Sequence, residues 1–241
     1  MITSTKAIVL HQVKYAETSI IVTLYTEAFG RQSYIVNSIR SAKSKQKMGL
    51  LQPLFQLEIE AYHKPGRGVQ RIKEFRADYV YQSVPFDVTK RSVSFFLAEV
   101  MFKVLRSEES DNEAFIFIQD SLQFFDQMAH GAANFHLWFI VNLLKYLGLQ
   151  PNNNFNENYR WFDMKNGRFL LTRPLLPQTP DAESSWILSV LFSHSLETLH
   201  QLELNGKQRT RLLELLLEYY AIHLEQIGKI NSLDILKELF Y

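Results

Sequence analysis

Residues 18–39 read TSIIVTLYTEAFGRQSYIVNSI, and this stretch decides the fold. Thr18–Thr26 is dense in β-branched and aromatic side chains, Phe29-Gly30 punctuates it, and Arg31–Ile39 alternates loosely between polar and apolar. That predicts two strands joined by a tight turn. On the N-terminal side, Lys6–Val13 is rich in Val, Ile and Leu and reads as another strand. On the C-terminal side, Leu54–His63 alternates well. Phe55, Leu57, Ile59 and Ala61 fall on one face, and Gln56, Glu58, Glu60 and Tyr62 on the other. Lys64–Gly68 (KPGRG) is a turn cluster, and Val69–Tyr79 is a fifth strand.

Five strands in so short a span, with no convincing helix among them, predict a small closed barrel. Barrels of this size are commonly OB-folds, which bind oligonucleotides on one face and its flanking loops. Beyond residue 84 the period changes. Val84–Leu105 carries Val93, Phe96, Leu97, Val100, Met101 and Val104 at helical spacing, with Pro85 in its first turn. Asp111 or Asn112 caps a second predicted helix running to about Met128, and Asn134 a third that ends at Gly148 before Pro151. Trp186–Leu199, Lys207–Gln226 and Ser232–Phe240 add three more. Asn166-Gly167 between two apolar runs signals a β-hairpin inserted at about residues 152–173. The expected class is α+β and multidomain: a five-stranded OB-fold barrel over residues 1–80, then an α-helical bundle over 81–241 with a small β-hairpin insertion.

Composition supports that division. The 241 residues are 46% hydrophobic and 21% charged, ordinary for a globular chain. Gly at 9 and Pro at 7 exclude collagen-like and low-complexity architectures. Cys is 0, which excludes a disulfide framework, a thiol nucleophile and a Cys-based zinc site, and fits a reducing compartment. The net charge of +1 hides an asymmetry: residues 1–80 carry 12 basic and 6 acidic side chains, a net of +6, and the remainder carries −5. Such a split points the basic half toward nucleic acid or a membrane surface. No membrane partner is expected. Ala7–Leu10 is too short for a signal-peptide core, and Phe135–Leu144 is broken by His136 and Asn142, short of the ~18 residues a spanning helix needs.

The segment richest in chemistry is Ala28–Leu57, with Arg31, Arg40, Lys43, Lys45 and Lys47 and no acidic residue. Ser38, Ser41, Ser44 and Gln46 are interleaved. Point charges and hydroxyl donors on a mobile backbone suit phosphates. A solvated surface loop carries the same composition, and its place in a five-strand barrel favours nucleic acid. Tyr25, Phe29 and Tyr34 lie nearby as candidate stacking rings. His194, Glu197 and His200 stand three residues apart, so on a helix they drift around the axis and do not converge on a metal. No nucleophile elbow, phosphate loop or dinucleotide fingerprint is present, so no catalytic residue and no cofactor is expected.

Several stretches resemble the RecO family of bacterial recombination mediators. They are Ala7–Leu10, Tyr15–Ser19, Val22–Thr26, Gly30-Arg31, the serine-basic loop to Ser44-Lys45, and Leu51–Leu54. Leu97–Glu99 and Leu143–Pro151 follow in the same order and spacing. The resemblance runs co-linearly over about the first 150 residues; the chain beyond residue 180 is recognisable only as helices.

The resemblance implies an N-terminal OB-fold, a helical C-terminal domain, and binding of single- and double-stranded DNA. It also implies strand annealing and help in loading RecA onto DNA coated with single-strand-binding protein, together with RecR, in the bacterial cytoplasm at the nucleoid. Many relatives carry a four-Cys zinc site after the Leu-Gly-Leu-x-Pro segment; here Asn152–Arg173 has no Cys, and packing of Trp161, Phe162 and Phe169 is expected to replace the metal. An acidic, apolar tail of a coat protein needs a local basic spot, for which Lys103 with Arg106, or Lys207, Arg209 and Arg211, are candidates. The alternative reading is an OB-fold RNA-binding protein with a helical appendage.

Overall fold

The computed structural model describes residues 2–37, 39, 45–64, 66–175, 179–225 and 227–240. The chain divides into two compact units, residues 1–127 and 128–241.

In the first unit, β1 (Ile2–Lys14), β2 (Ile20–Thr26), β3 (Gly30–Val36), β4 (Gln56–Tyr62) and β5 (Gln70–Ala77) close into a barrel in the order β1-β2-β3-β5-β4. The five expected strands and the barrel are therefore present. β3 and β5 are parallel and the other pairs antiparallel. β1 is long enough to pair with both β2 and β4, bulging between Val9 and His11. Along β3, alternate residues Gly30, Gln32, Tyr34 and Val36 are buried, the period-two signature of a strand with one face on the core. Ala7, Val9, Val22, Leu24, Leu57, Ile59 and Phe75 fill the interior.

The link between β3 and β4, read from sequence as a flexible loop, ends in a one-turn helix, α1 (Lys45–Gly49). Ile39 and Leu51 belong to the barrel's apolar cluster, with Met48 and Leu50 packed against it. Apolar side chains flanking the basic residues thus fold the end of this link onto the core.

α2 (Val88–Val104) and α3 (Asn112–Gln127) complete the unit. α2 begins later than the sequence suggests: Pro85 lies in the preceding turn, and Asp87 caps the helix by accepting from Lys90 N at 2.9 Å. Its apolar stripe, Val93, Phe96, Leu97, Val100, Met101 and Val104, is buried as the spacing predicts. Asp111 rather than Asn112 caps α3, accepting from Ala114 N at 2.9 Å. The Asp126 carboxylate, near the end of α3, accepts from the backbone N–H of Gln82 (2.7 Å), Ser83 (2.8 Å) and Val84 (2.9 Å). It thereby pins the segment that leaves β5.

The second unit holds α4 (Phe135–Tyr146), α5 (Ala182–Ser193), α6 (Gly206–His223) and α7 (Ser232–Phe240), with a ribbon of β6 (Trp161–Asp163) and β7 (Arg168–Leu170). Asn134 stands at the N-cap position of α4 but its side chain makes no cap bond; its amide donates to Leu202 O at 2.6 Å and accepts from Arg209 Nε at 3.0 Å. α5 starts at Ala182 because Asp181 caps it, accepting from Ser184 N at 2.7 Å, and it stops at Ser193. Asn205 and Gln208 form a reciprocal capping box on α6. The Asn-Gly turn holds Gly167 at φ +60°, and a Cβ there would meet Tyr219 Oη at 2.5 Å, so both conformation and space require glycine. Phe162 and Phe169 pack at 5.0 Å and join Phe155, Phe192 and Tyr219. Trp161 was expected in that packing; it lies on the other face of its strand under the Arg173 guanidinium, 5.5 Å from the ring.

Candidate nucleic-acid interface

Strand register determines which candidate residues meet. Lys14 pairs with Ile20, and Ile20 pairs with Val36, so the tip of the β1–β2 hairpin and the exit of β3 share one end of the barrel. The serine-basic link leaves from that end. Lys14 is exposed there and Tyr15 is 63% exposed, and Ser19 Oγ donates to Asn37 Oδ1 at the start of the link; Lys47, in α1, is exposed too. Arg40 and Lys43 lie outside the described residues, as does the Lys45 side chain. This end therefore offers a cation and an exposed ring at the hairpin tip, the combination that binds a phosphate and stacks a base. Lys14 and Tyr15 were not singled out in the sequence; the signal was a cation and an aromatic just before the polar tip Ala16–Thr18.

Arg31 lies elsewhere. Five residues of extended β3 separate it from Val36, about 17 Å of strand. Its guanidinium donates to Phe102 O at 2.8 Å and sits 4.4 Å from the centre of the Phe102 ring. Burial lowers its pKa, with the Arg106 charge acting the same way. Its backbone N–H donates to Ser107 O at 2.8 Å. Gly30 beside it is at φ +58°, where a Cβ would come within 2.3 Å of Glu109 O. Arg31 thus fastens the β2–β3 hairpin to the end of α2.

The expected stacking rings also separate. Tyr34 is fully buried, and Tyr25 is 4% exposed and faces Phe115. Burial pushes both phenols up to about 12, with the Asp111 charge adding to the effect on Tyr25. Both point into the unit and present no face to a base, a correction of the sequence reading. Phe29 is partly exposed, stacked on His63 at 4.0 Å and 10° beside Lys64 and Arg67 of the β4–β5 hairpin. It is therefore at the far end of β3 from the serine-basic link.

The outer face of β4 and β5 carries no net positive charge, Arg71, Lys73 and Arg76 being matched by Glu58, Glu60 and Glu74. Lys73 pairs with Glu60 at 2.7 Å and Arg76 with its cross-strand neighbour Glu58. A duplex or single strand approaching this face meets Glu58, Glu60 and Glu74 as well.

Among the helical cations, Arg106 Nε donates to Lys103 O at 2.9 Å. Arg209 is half-buried and bound to Asn134 and to Leu204 O, while Lys207 and Arg211 are exposed. His194 follows α5, and His200 Nδ1 is 2.8 Å from Glu197 O. Among the described residues no three His, Asp or Glu side chains gather at a metal-binding distance. The ribbon's residues do not fit zinc either: the Asp163 carboxylate accepts from Lys165 N and Asn166 Nδ2, and phenylalanines fill the interior. No helix among the described residues is long and apolar enough to cross a membrane.

Comparison with known proteins places this geometry in a context. Residues 1–79 match the family model described as Recombination protein O N terminal, and residues 85–157 the one described as Recombination protein O C terminal. A curated protein of Phocaeicola vulgatus named DNA repair protein RecO is 37% identical over the full length of both chains. One of Bacteroides fragilis with the same name is 39% identical, also over the full length of both. Another, from Flavobacterium psychrophilum, is 35% identical over 98% of each chain.

Proposed function

The chain belongs to the RecO family of DNA repair proteins, and from that premise we propose that it is a non-enzymatic mediator acting on DNA strands. It binds single- and double-stranded DNA through residues 1–80, anneals complementary strands, and, with RecR, helps load RecA onto DNA coated with single-strand-binding protein. Residues 81–241 carry the contact with the coat protein's tail. It works in the bacterial cytoplasm.

The observation that supports DNA binding most directly is the exposed pair Lys14 and Tyr15 at the barrel end from which β3 leads into the serine-basic link. Annealing then needs no motor. Base stacking supplies about 1.4 kcal/mol per step once two strands align. The obstacle is phosphate repulsion, which a barrel region of net +6 over residues 1–80 lowers by neutralising backbone charge. Lys207 and Arg211 are exposed cations suited to a coat protein's acidic tail. The RNA-binding alternative is not favoured, since the relatives above are named as DNA repair proteins.

The test is annealing of complementary oligonucleotides, bare and coated, without nucleotide. Annealing proceeds without ATP and, for coated strands, fails when the coat protein lacks its tail. A requirement for ATP hydrolysis, or equal activity on tailless coat protein, contradicts the reading.

A further inference from the structure

The second unit carries a basic and aromatic surface that the barrel argument leaves unused. The ribbon and its flanks present Arg160, Lys165, Arg168 and Arg173, all exposed. None forms a salt bridge among the described residues. The acid within the ribbon, Asp163, is buried and held by its own turn. This is a local positive patch in the half of the chain whose net charge is −5. Beside it runs a groove of about 540 Å³ lined by Phe155, Asn156, Glu157, Arg160, Ala182 and Trp186. Trp186 on α5 is 55% exposed and Tyr159 is 44% exposed.

We propose that this groove and ribbon form a second contact for single-stranded nucleic acid, a base stacking on Trp186 with its phosphates on Arg160 and the ribbon cations. The inference rests on the reading that the protein binds DNA and adds a site outside the barrel. Three observations select this occupant. Aromatic side chains accept the π-face of any base, and an exposed Trp is the strongest such platform. Arg160, held in place by its own Nε bond to Glu157 O at 2.7 Å, stands at the groove as a phosphate donor. The Glu157 side chain in the lining can accept from a base amino group. The ribbon is well supported for this task. Asn154 grips Phe169 through both its backbone groups, at 2.8 and 3.0 Å, and Asn153 donates to Ser189 O on α5 at 2.8 Å.

The full chain is tested with a fluorescent oligo(dT) and with 5-iododeoxyuridine oligonucleotides for cross-linking. Trp186→Ala weakens binding at least about fivefold, the lower end of what one stacked base contributes. Replacing Arg160, Arg168 and Arg173 by Ala lowers the log-log salt slope by about 2. Cross-links map to Trp186 or Tyr159 as well as to the barrel. If cross-links map only to the barrel and both variants bind as the parent does, this inference is overturned and the barrel reading stands. If the parent chain binds no oligonucleotide, both readings fail. If an acidic peptide quenches Trp186 and oligo(dT) does not, the groove is a protein-docking site instead.

Discussion

Arg31 and Phe102 are joined twice: the guanidinium lies 4.4 Å from the ring centre and donates to the same residue's carbonyl at 2.8 Å. A cation that reads as a DNA contact in the sequence is thus an internal fastener. Arg31→Ala is expected to lower stability by about 1–3 kcal/mol, from a charged hydrogen bond and a ring contact together. The salt slope of DNA binding should stay unchanged. Chemical denaturation alongside salt titration separates the two effects, and a reduced slope with intact stability would return Arg31 to the interface.

Among the described residues of the barrel unit, the Asp126 carboxylate accepts the most hydrogen bonds. Burial alone would raise its pKa, but the N–H donors of Gln82, Val84 and Ser83 outweigh burial and hold it below the ordinary value. Its contribution is therefore present above that ordinary carboxylate value and is lost as pH falls through the lower, folded one. Asp126→Ala leaves three backbone donors unpaired and should cost about 3 kcal/mol or more. A loss under about 1 kcal/mol in urea denaturation would show that water replaces the carboxylate at no cost.

His136 in α4 is fully buried, and burial, with the Arg209 charge, pushes its pKa down to about 3. The unfolded chain takes up a proton near pH 6.5 that the folded chain refuses. Stability is complete above that value and falls as pH drops toward 3, by up to about 1.4 kcal/mol per pH unit. His136→Leu is expected to make the acid limb of thermal stability shallower. An acid limb of unchanged slope would show that His136 protonates without unfolding.

The barrel was legible in the sequence because β1 and β2 are dense in β-branched and apolar residues and period-two alternation survives in β3 and β4. The ribbon was legible because Asn166-Gly167 demands its turn. Less legible was anything decided by the partner of a side chain. Tyr34 and Ile35 are both apolar neighbours on β3, so alternation alone leaves open which faces inward; Gln32, buried on the same face as Tyr34, hides the parity further. Asn134 looks like a helix cap, yet Leu202 and Arg209, far along the chain, claim its amide. Trp161 looks like core and is covered instead by Arg173. The candidate site was half legible: charge composition marked the serine-basic link, but only the pairing Lys14–Ile20–Val36 brings Lys14 and Tyr15 to it.

DNA binding at that end of the barrel is tested by the salt dependence of single-stranded DNA affinity. The parent is compared with the variant in which Lys14, Lys43, Lys45 and Lys47 are replaced by Ala. Each phosphate contact contributes about 0.7 to the log-log slope on single strands, so the variant's slope should be shallower by nearly 3, with weaker binding at low salt. Equal slopes and equal affinities in the two proteins would mean that DNA does not bind there.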